Sequence, residues 1–330
     1  MQIVFVNRLE RSAGAGEPER GQVFIGEDQG AWTAGWRLSE EWDAASHDVW
    51  YEGVSWEELL AAFRHGVARK LREGFRPMLD GMLDETPFWE RRLPLPAVLQ
   101  CYAEGRVNEE AAEKLRQWRR ARSVREGRSP FLIATNRELQ LLAAYLPHTA
   151  EELLQIPGFG RMKTERYGAE LTGLLRSFPR GHSFPLDWVA GQTGADELTD
   201  WLFRQKEARY EKALATIRDK RRLLAGIRAG LTLEQLEGEL QCPRRMLLER
   251  IEKLDEEGYD VLPLIEKELT LVPEDELGQV EAALQELGDR YLKPIHRKVY
   301  GEKSAGPEAE RHYETLRLAR IRYRRQENAS

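Results

Sequence analysis

The sequence is poor in cysteine and has no long apolar run. Its two cysteines, Cys101 and Cys242, lie far apart and belong to no CxxC pair, which argues against a disulfide framework and against a structural zinc site. No segment approaches the roughly 18 consecutive apolar residues of a membrane span. No basic signal-peptide region precedes the strand-like residues 2–6. These absences predict a reduced, cytoplasmic protein without a membrane partner.

Catalytic signatures are missing as well. The GEKS segment at residues 301–304 lacks the first half of a GxxxxGK(S/T) phosphate loop, so the sequence contains no recognisable helicase motor. It has no GxSxG, HExxH or cysteine–histidine pattern, and no acidic cluster of the kind that holds two metal ions. We therefore expect no enzymatic activity, no catalytic residues, no metal ligands and no cofactor.

Charged residues are abundant but segregated along the chain, whose net charge is −6. Residues 231–289 carry 17 acidic and 5 basic side chains, a net charge of −12. Residues 293–325 carry 10 basic and 4 acidic side chains, and residues 114–128 carry 7 basic and 1 acidic, a net charge of +6 each. Phosphate backbones respond to local patches rather than to the net charge. Nucleic-acid binding is therefore compatible with this acidic protein.

Residues 1–83 are predicted to form a small β-rich α+β domain. Ser55 and Glu58 have the spacing of a capping box at the start of its helix. Six tryptophans fall in residues 1–89, and we interpret them as core-filling side chains, with base stacking as the alternative. The predicted strands are Gln2–Val6, Gln22–Ile25, Trp32–Leu38 and Val49–Tyr51. The six tryptophans are Trp32, Trp36, Trp42, Trp50, Trp56 and Trp89.

Residues 84–107 are broken by proline and are predicted to be a linker with one short helix at Leu95–Ala103. Residues 108–178 follow as a compact helical bundle with short connections. The predicted caps of three of its helices are Asn108, either Thr135 or Asn136, and Thr149. We expect the apolar faces to include Leu115, Trp118 and Ala121 in the first helix. In the last helix they are expected to be Met162, Tyr167, Leu171, Leu174 and Leu175.

The last two helices of this bundle meet at a Gly-Phe-Gly turn, residues 158–160. Arg161 and Lys163 stand in the first turn of the helix that follows, where the helix dipole disfavours cations. A phosphate bound by the free N–H groups of the helix N-terminus would explain these two side chains. The alternative is a turn that serves only helix packing.

The bundle resembles the HRDC domain, a module found on the C-terminal side of RecQ-type helicases and in RNase D. The resemblance covers about 70 residues and implies a small helical nucleic-acid-binding module without catalytic activity. It is carried, in order, by Leu115, Trp118, Arg119, Pro130, Phe131, Leu139, Ala143, Pro147, Leu153, Ile156, Gly158, Phe159, Gly160, Lys163, Tyr167 and Gly168. The candidate nucleic-acid-binding residues of the bundle are Arg116, Arg119, Arg122, Gly158, Gly160, Arg161, Lys163 and Arg166.

Residues 179–230 are predicted to be a linker followed by a long basic helix from Glu197 to about Ile227. Its cations indicate either a solvated helix face or a face that tracks phosphates. Residues 231–325 are predicted to be a helix-turn-helix-like helical domain. Its second helix offers Arg244 and Arg245 as further candidate DNA contacts, with packing or protein interaction as the alternative.

The C-terminal part, through Leu292–Ile295 and Tyr313–Leu318, resembles the helix-turn-helix region near the C-terminus of some RecQ helicases. It departs from that pattern at Ala305–His312, where an insertion replaces a short turn. The arginine-rich segment Thr315–Arg325 is compatible with a strand or with one face of a helix. The predicted fold class is therefore mainly α, with a small α+β N-terminal domain, a central HRDC-like helical bundle and a C-terminal helical helix-turn-helix-like domain.

Three functional hypotheses follow from these features. The first is a non-catalytic, bacterial-type accessory factor that binds single-stranded or branched DNA through the bundle, with DNA favoured over RNA. The second is a protein-interaction adaptor whose acidic segment docks a helicase or a nuclease. The third is an enzyme within residues 1–100, which the absence of catalytic motifs disfavours.

Overall fold

The computed structural model describes residues 1–12, 17–38, 47–79, 81–83, 94–301 and 306–329. These residues form two compact units that divide between Glu211 and Lys212. They are mainly helical with one small antiparallel sheet, which confirms the predicted fold class. Several predicted features lie outside the described residues. These are Trp42, Trp89, residues 84–93 of the linker, the residues 302–304 of the GEKS segment, and Ala305 at the start of the insertion.

The sheet at the start of the first unit is antiparallel throughout and has the strand order β4-β3-β2-β1-β5. The four predicted strands are confirmed; three of them are longer than predicted, and the strand predicted to end at Leu38 ends at Arg37. The sequence did not predict β5, because two residues ending in proline carry no alternating pattern. The strands are β1 (Gln2–Arg11), β2 (Glu19–Asp28), β3 (Ala31–Arg37), β4 (His47–Gly53) and β5 (Arg76–Pro77).

One helix, α1 (Trp56–Arg72), packs against β3 and β4. Its predicted cap is confirmed, since the Glu58 N–H donates to Ser55 Oγ at 3.3 Å. Trp36 is buried and meets the edge of the Phe75 ring at 4.9 Å between ring centres. This contact supports the core-filling interpretation for Trp36, because a buried ring is not available to stack on a base.

The bundle in the middle of the first unit has one apolar core, and its helices begin at the predicted caps. Asn108 Oδ1 accepts from the Ala111 N–H at 2.9 Å, and Thr135 forms a complete capping box with Glu138. The six helices are α2 (Leu95–Ala103), α3 (Glu109–Glu126), α4 (Pro130–Ile133), α5 (Asn136–Tyr145), α6 (Ala150–Leu153) and α7 (Arg161–Leu175).

Helix α2 belongs to the same core as the bundle. Leu99 is buried in it, and the Leu99 carbonyl accepts a 2.8 Å hydrogen bond from the buried hydroxyl of Tyr145 in α5. Residues 186 and 189, beyond α7, close the other end of this core. The apolar interior therefore extends past both ends of residues 108–178.

Two predicted apolar positions are wrong. Ala121 is exposed, because the inward face of α3 continues from Leu115 through charged side chains instead of apolar ones. Met162 is 85% exposed, since it lies in the first turn of α7 on the side away from the core. Tyr167 and Leu171 do face inward as predicted. The basic surface of the bundle therefore includes an exposed methionine.

The predicted long basic helix is confirmed as α9 (Ala195–Arg228), which follows the short helix α8 (Val189–Gln192). The division between the two units falls within α9. In the first unit, Arg72 of α1 forms an ion pair with Glu207 of α9. The Arg76 guanidinium lies 5.0 Å from the centre of the Phe203 ring. Side chains on this part of α9 thus support the sheet domain.

The second unit is entirely helical in its described residues. The two helices predicted for residues 231–260 are present and are joined by a tight turn, in which Gln241 adopts the left-handed conformation (φ 47°). The arginine-rich segment Thr315–Arg325 is helical, which settles the strand-or-helix alternative. The helices are α10 (Leu233–Leu240), α11 (Arg244–Glu256), α12 (Leu262–Leu269), α13 (Glu274–Leu287), α14 (Leu292–Tyr300) and α15 (Pro307–Ala329).

Helix α15 packs against α11, α12, α13 and α14, and its arginines pair with the acidic segment of the sequence. Arg317 and Arg320 share Glu252, at 3.1 and 2.6 Å. Arg325 pairs with the nearly buried Asp255 at 2.6 Å. Arg322 with Glu281 and Arg324 with Asp289 are further pairs. The opposite charges that are separated along the sequence therefore neutralise one another in the fold.

Arg244 and Arg245 occupy different environments although they are adjacent. The Arg244 side chain is 31% exposed and binds Glu314 through two hydrogen bonds of 2.6 and 3.1 Å, with Glu268 at 3.6 Å. The Arg245 side chain is 85% exposed and pairs with Glu249 of its own helix. Arg244 therefore joins α11 to α15 and does not point outward as predicted, whereas Arg245 does.

This contrast gives a matched pair of substitutions. Arg244→Ala should lower the free energy of unfolding by about 1.5–3 kcal/mol, because it leaves Glu314 and the buried Glu268 without their cation. Arg245→Ala should change it by about 0.5 kcal/mol or less, as exposed substitutions do. Urea unfolding of both variants measures the difference, and equal losses would contradict the assigned role of Arg244.

Candidate nucleic-acid interface

The second half of α3 and the first half of α7 are joined by one carboxylate, that of Glu126, whose side chain is 8% exposed. It accepts from Arg122 Nε at 2.6 Å, from Arg166 Nη2 at 2.6 Å and from the Tyr167 hydroxyl at 3.2 Å. Arg128 Nη1 lies 3.9 Å from the same group. One glutamate thus orients three arginines from three parts of the bundle.

Glu170 of α7 is a second acid in the same network. It accepts from the Trp118 indole N–H at 2.8 Å and from Arg122 Nη1 at 2.8 Å. Arg125 Nη1 lies 3.7 Å away. Arg122 therefore bridges both glutamates and lies between the two helices. Trp118 also packs against the core, as predicted, and meets the edge of the Tyr167 ring at 5.7 Å between ring centres.

The ionisation of Glu126 reflects this setting. Burial by itself would raise the pKa of the Glu126 carboxyl, but the hydrogen bonds from Arg122 and Tyr167 and the charge of Arg166 hold the pKa below its ordinary value. Glu126 is therefore ionised at neutral pH. A charged acceptor strengthens each of its hydrogen bonds and fixes the arginines that donate them.

The network is positively charged overall, because four arginines share two glutamates. Arg125 is the most exposed of the four, at 69%. Arg120 and Arg161 are exposed on the same two helices and have no ion pair among the described residues. We call the exposed arginines Arg120, Arg125, Arg128, Arg161 and Arg166 together the basic face; Arg125, Arg128 and Arg166 adjoin the two glutamates, whereas Arg120 and Arg161 do not.

Exposed apolar side chains occur on α3, α4 and α7 as well. Val124 and Met162 are each 85% exposed, and Phe131 is 63% exposed. Surfaces that bind single-stranded nucleic acid combine cations with exposed rings on which bases stack. Phe131 is the aromatic ring of this kind on α4.

The Gly-Phe-Gly turn between α6 and α7 depends on its first glycine. Gly158 has φ +96°, and a Cβ atom there would lie 2.2 Å from Glu138 Oε1. Phe159 is buried in the core of the bundle. Gly160 has an ordinary φ of −80°, and a Cβ atom there would meet no atom within 4 Å. Gly158 is therefore required by the fold at this turn, whereas Gly160 is not.

One of the two cations at the start of α7, Lys163, is explained by a contact within the bundle. Lys163 Nζ donates to Glu138 Oε1 at 2.6 Å, and Glu138 also completes the capping box of α5. Arg161 has no such partner among the described residues. No side chain in the described part of the chain caps α7. Arg161 and the first N–H groups of α7 thus keep the features expected of an anion site.

The other predicted residues are placed as follows. Arg119 Nη1 donates to the Ala134 carbonyl at 2.8 Å and ties α3 to the end of α4. Arg116 pairs with Glu113 of its own helix at 3.0 Å. Arg122, Lys163 and Arg166 join the network and the turn described above. Arg244 and Arg245 belong to the second unit.

Three exposed arginines of the basic face were not among the predicted site residues. Arg120 and Arg125 lie in α3, and Arg128 follows its end. The usable signal was the angular position on α3, since Arg119 and Arg122 follow the buried Leu115 by four and seven residues and share its face, whereas Arg120 and Arg125 do not. Glu126, the one acid within the basic segment 114–128, also marked where the arginines converge.

A further ion pair fixes the loop before α6. Arg180 Nη1 and Nη2 donate to the two carboxylate oxygens of Glu152 at 2.6 and 2.7 Å, and the His148 N–H donates to the same carboxylate at 2.6 Å. The hydrogen bonds from Arg180 lower the pKa of Glu152 to about 2, against the opposing effect of burial.

The two glycines of the turn can be separated by substitution. Gly158→Ala should reduce the free energy of unfolding by about 1–3 kcal/mol, because alanine is strained at positive φ and displaces Glu138. Gly160→Ala should cost less than about 1 kcal/mol, since alanine is only a poorer cap residue than glycine. Thermal and urea unfolding report both values. Equal destabilisation by the two substitutions would show that the φ of Gly158 and the nearby Glu138 side chain do not require glycine at this position.

The Glu152–Arg180 pair makes the free energy of unfolding depend on pH in the acidic range. Its contribution is complete above the ordinary carboxyl pKa of 4.5 and is lost as the pH falls toward the folded-state value of about 2. Glu152→Gln should therefore be less stable than the wild type at pH 7, with a deficit that shrinks between pH 4.5 and pH 2. Urea unfolding across this range is the measurement, and Glu165→Gln, at an exposed position, is the control. A deficit that is independent of pH would exclude the pair as its source.

The HRDC domain family model matches residues 108–175, which span α3 to α7 and contain the whole network around Glu126. No solved structure matches the chain. The likeness of residues 231–325 to the RecQ C-terminal region stays a prediction. Within the described residues, no helix is long and apolar enough to cross a membrane. Residues 108–175 of this chain are an HRDC domain.

Proposed function

We propose that this protein binds single-stranded or branched DNA through the basic face of its HRDC domain. We further propose that it acts without catalysis, as a cytoplasmic accessory factor in DNA metabolism. The observation that carries the proposal is the arrangement of four arginines around two glutamates. It leaves a net positive surface whose side chains are already oriented. The HRDC match supports a nucleic-acid-related role for the same helices.

The division of labour among the arginines follows from their contacts. Arg119 and Arg122 are committed to internal hydrogen bonds and fix α3 within the bundle. Arg120, Arg125 and Arg161 extend into solvent, where phosphate oxygens can reach them. A guanidinium fork binds phosphate through two parallel N–H groups. Phosphate contacts should therefore fall on the exposed arginines, with the internal ones acting as supports.

Most of this affinity should come from release of counterions, because each arginine that neutralises a phosphate displaces counterions from the strand. Such phosphate contacts carry no sequence information. The Met162 side chain and the Phe131 ring provide apolar surface against which bases of a single strand can lie. This combination favours single-stranded or partly unpaired DNA over a closed duplex. The free N–H groups at the start of α7 supply one further phosphate contact beside Arg161.

The adaptor alternative has less support. The adaptor hypothesis places the docking surface on the acidic segment 231–289. Many acidic side chains of that segment form ion pairs within the second unit. Glu252, Asp255 and Glu281 pair with α15, and Glu268 lies near Arg244. Fewer carboxylates therefore remain for a basic partner than the sequence suggested.

A pull-down from nuclease-treated lysate tests the adaptor hypothesis, because an adaptor keeps its protein partner when nucleic acid is removed.

A salt titration with an oligothymidylate of about 16 nucleotides tests the proposal. The wild type should bind at about 50 mM salt, and the slope of log K against log salt should fall by about 0.7 for each phosphate contact removed. Arg120→Gln, Arg125→Gln and Arg161→Gln should each reduce the slope, and the triple variant should show the summed loss. Arg20→Gln, on β2 of the sheet domain, is the matched control.

Two results would contradict the proposal. One is the absence of binding by the wild type at about 50 mM salt, where electrostatic binding is strong. The other is a triple variant that binds as tightly as the control while its unfolding transition is unchanged.

A further inference from the structure

Four aromatic rings from two helices of the second unit lie in contact where α14 meets the first turns of α15. His296 and Tyr300 are one helical turn apart in α14, and His312 and Tyr313 are adjacent in α15. The His296 ring stacks on the Tyr313 ring, with 4.7 Å between ring centres and 10° between ring planes. The His312 ring stacks on the Tyr300 ring, at 3.7 Å and 5°. We call these four residues the ring cluster.

The ring cluster borders a small apolar core that α13, α14 and α15 share. Ile295 of α14 and Leu316 of α15 are fully buried in this core, and Tyr300 and Tyr313 pack against it. His296 is itself only 8% exposed. The packing of α14 on α15 therefore includes contacts made by these rings.

Two of the four rings are imidazoles, and their centres lie 5.5 Å apart. A protonated imidazole carries a charge and two N–H donors. His312 Nδ1 is buried without a hydrogen-bond partner in the described part of the chain, so a proton on this atom would lack an acceptor. Two charges at such a separation also repel strongly where water screens them little. The ring cluster therefore suits neutral imidazoles better than protonated ones.

The charged groups around the ring cluster are balanced in sign. Glu276 of α13 contacts the cluster, but its carboxylate already accepts from the Tyr300 hydroxyl. Glu314 of α15 is bound by Arg244 of α11. Exposed charges of both signs also flank the rings along the two helices, namely Arg297, Glu308 and Arg311. These groups together supply no net negative charge that would favour protonation of the rings.

The ionisation of His296 follows from this setting. Burial lowers the pKa of the His296 imidazole below its ordinary value of 6.5, and the nearby charge of His312 lowers it further. When α14 is detached from α15, His296 titrates at the ordinary value. Between pH 6.5 and the lower folded-state pKa, the detached state therefore binds a proton that the packed state does not bind. The stability of the contact is complete above this window and is lost as the pH falls through it.

We propose that His296 and His312 make the contact between α14 and α15 a pH-sensitive joint, closed when both imidazoles are neutral and weakened when they bind protons. The joint is independent of the proposed function, because the ring cluster lies in the second unit and the basic face lies in the first. Its effect can extend along α15, since the residue after Tyr313 is Glu314, the partner of Arg244. Weakening the joint would thus reach α11 through this ion pair.

NMR of the intact protein tests the proposal without any substitution. Histidine ring resonances followed from about pH 8 to about pH 5 give the titration midpoint of His296, which should lie below 6.5. Amide protection factors, which correct for the intrinsic pH dependence of hydrogen exchange, report the packing of α14. They should fall by about threefold or more between about pH 7.5 and about pH 5.5. Protection of α10, which packs against α11, should change less.

Two substitutions that keep an aromatic ring separate titration from packing. His296→Phe should remove the pH dependence of α14 protection in this window, because its ring binds no proton. His312→Phe should move the His296 midpoint upward toward 6.5, since the repelling charge is gone. A purely structural role of His312 does not predict this shift. His65→Phe, in α1 of the first unit, is the matched control and should leave both measurements unchanged.

The proposal is overturned if His296 titrates at or above 6.5, or if α14 protection in the wild type does not depend on pH. It is also overturned if His296→Phe retains the wild-type pH dependence, or if His312→Phe leaves the His296 midpoint unchanged. Should either variant fail to fold, the two wild-type measurements still decide the outcome.

Discussion

The carboxylate of Glu126 holds the second half of α3 against the first half of α7. The ionic contacts act together with the edge contact of the Trp118 and Tyr167 rings, because the other inward positions after Leu115 include Arg119, Arg122 and Glu126. An ionised glutamate with three donors is a strong and directional joint. Of these donors, Arg166 also belongs to the basic face, and Arg125 and Arg128 adjoin the same two glutamates. The proposed DNA interface depends on this network for the orientation of Arg125, Arg128 and Arg166, whereas Arg120 and Arg161 extend into solvent.

The second unit also contains arginine–carboxylate pairs, but there they join helices and leave little excess positive charge. Five of the six arginines on α15 pair with an acid from the segment before it, on a helix that packs against four others. In the HRDC domain the cations outnumber their acids, whereas in the second unit the pairs are nearly balanced. Arginine-rich segments therefore have two different structural roles in this chain. Excess over the local acids, rather than the number of arginines, distinguishes a surface that can bind phosphate from an internal joint.

Local signals in the sequence were sufficient for several helix starts and for four of the five strands of the sheet. Asn108 and Thr135 cap helices because their side-chain oxygens accept free N–H groups, a requirement that is local in the chain. The bend at Gly158 was also predictable, although its cause, the Glu138 side chain 2.2 Å from a Cβ atom, is a tertiary contact. The exposure of individual arginines was only partly predictable. Arg119 and Arg120 differ by one position, and helix periodicity places Arg119 on the face of Leu115, but its partner, the Ala134 carbonyl, follows only from the packing of α3 on α4. Arg244 shows the same limit, because its partner Glu314 lies 70 residues away.

A double-mutant cycle between Glu126 and Arg122 tests the central claim most directly. Glu126→Gln, Arg122→Gln and the double variant would be compared by urea unfolding, with amide hydrogen exchange in α3 and α7 to locate the effect. If Glu126 joins the helices through this contact, the double variant loses less stability than the sum of the two single variants, and α3 and α7 lose protection together. Strictly additive losses, or unchanged protection in α7, would contradict the account.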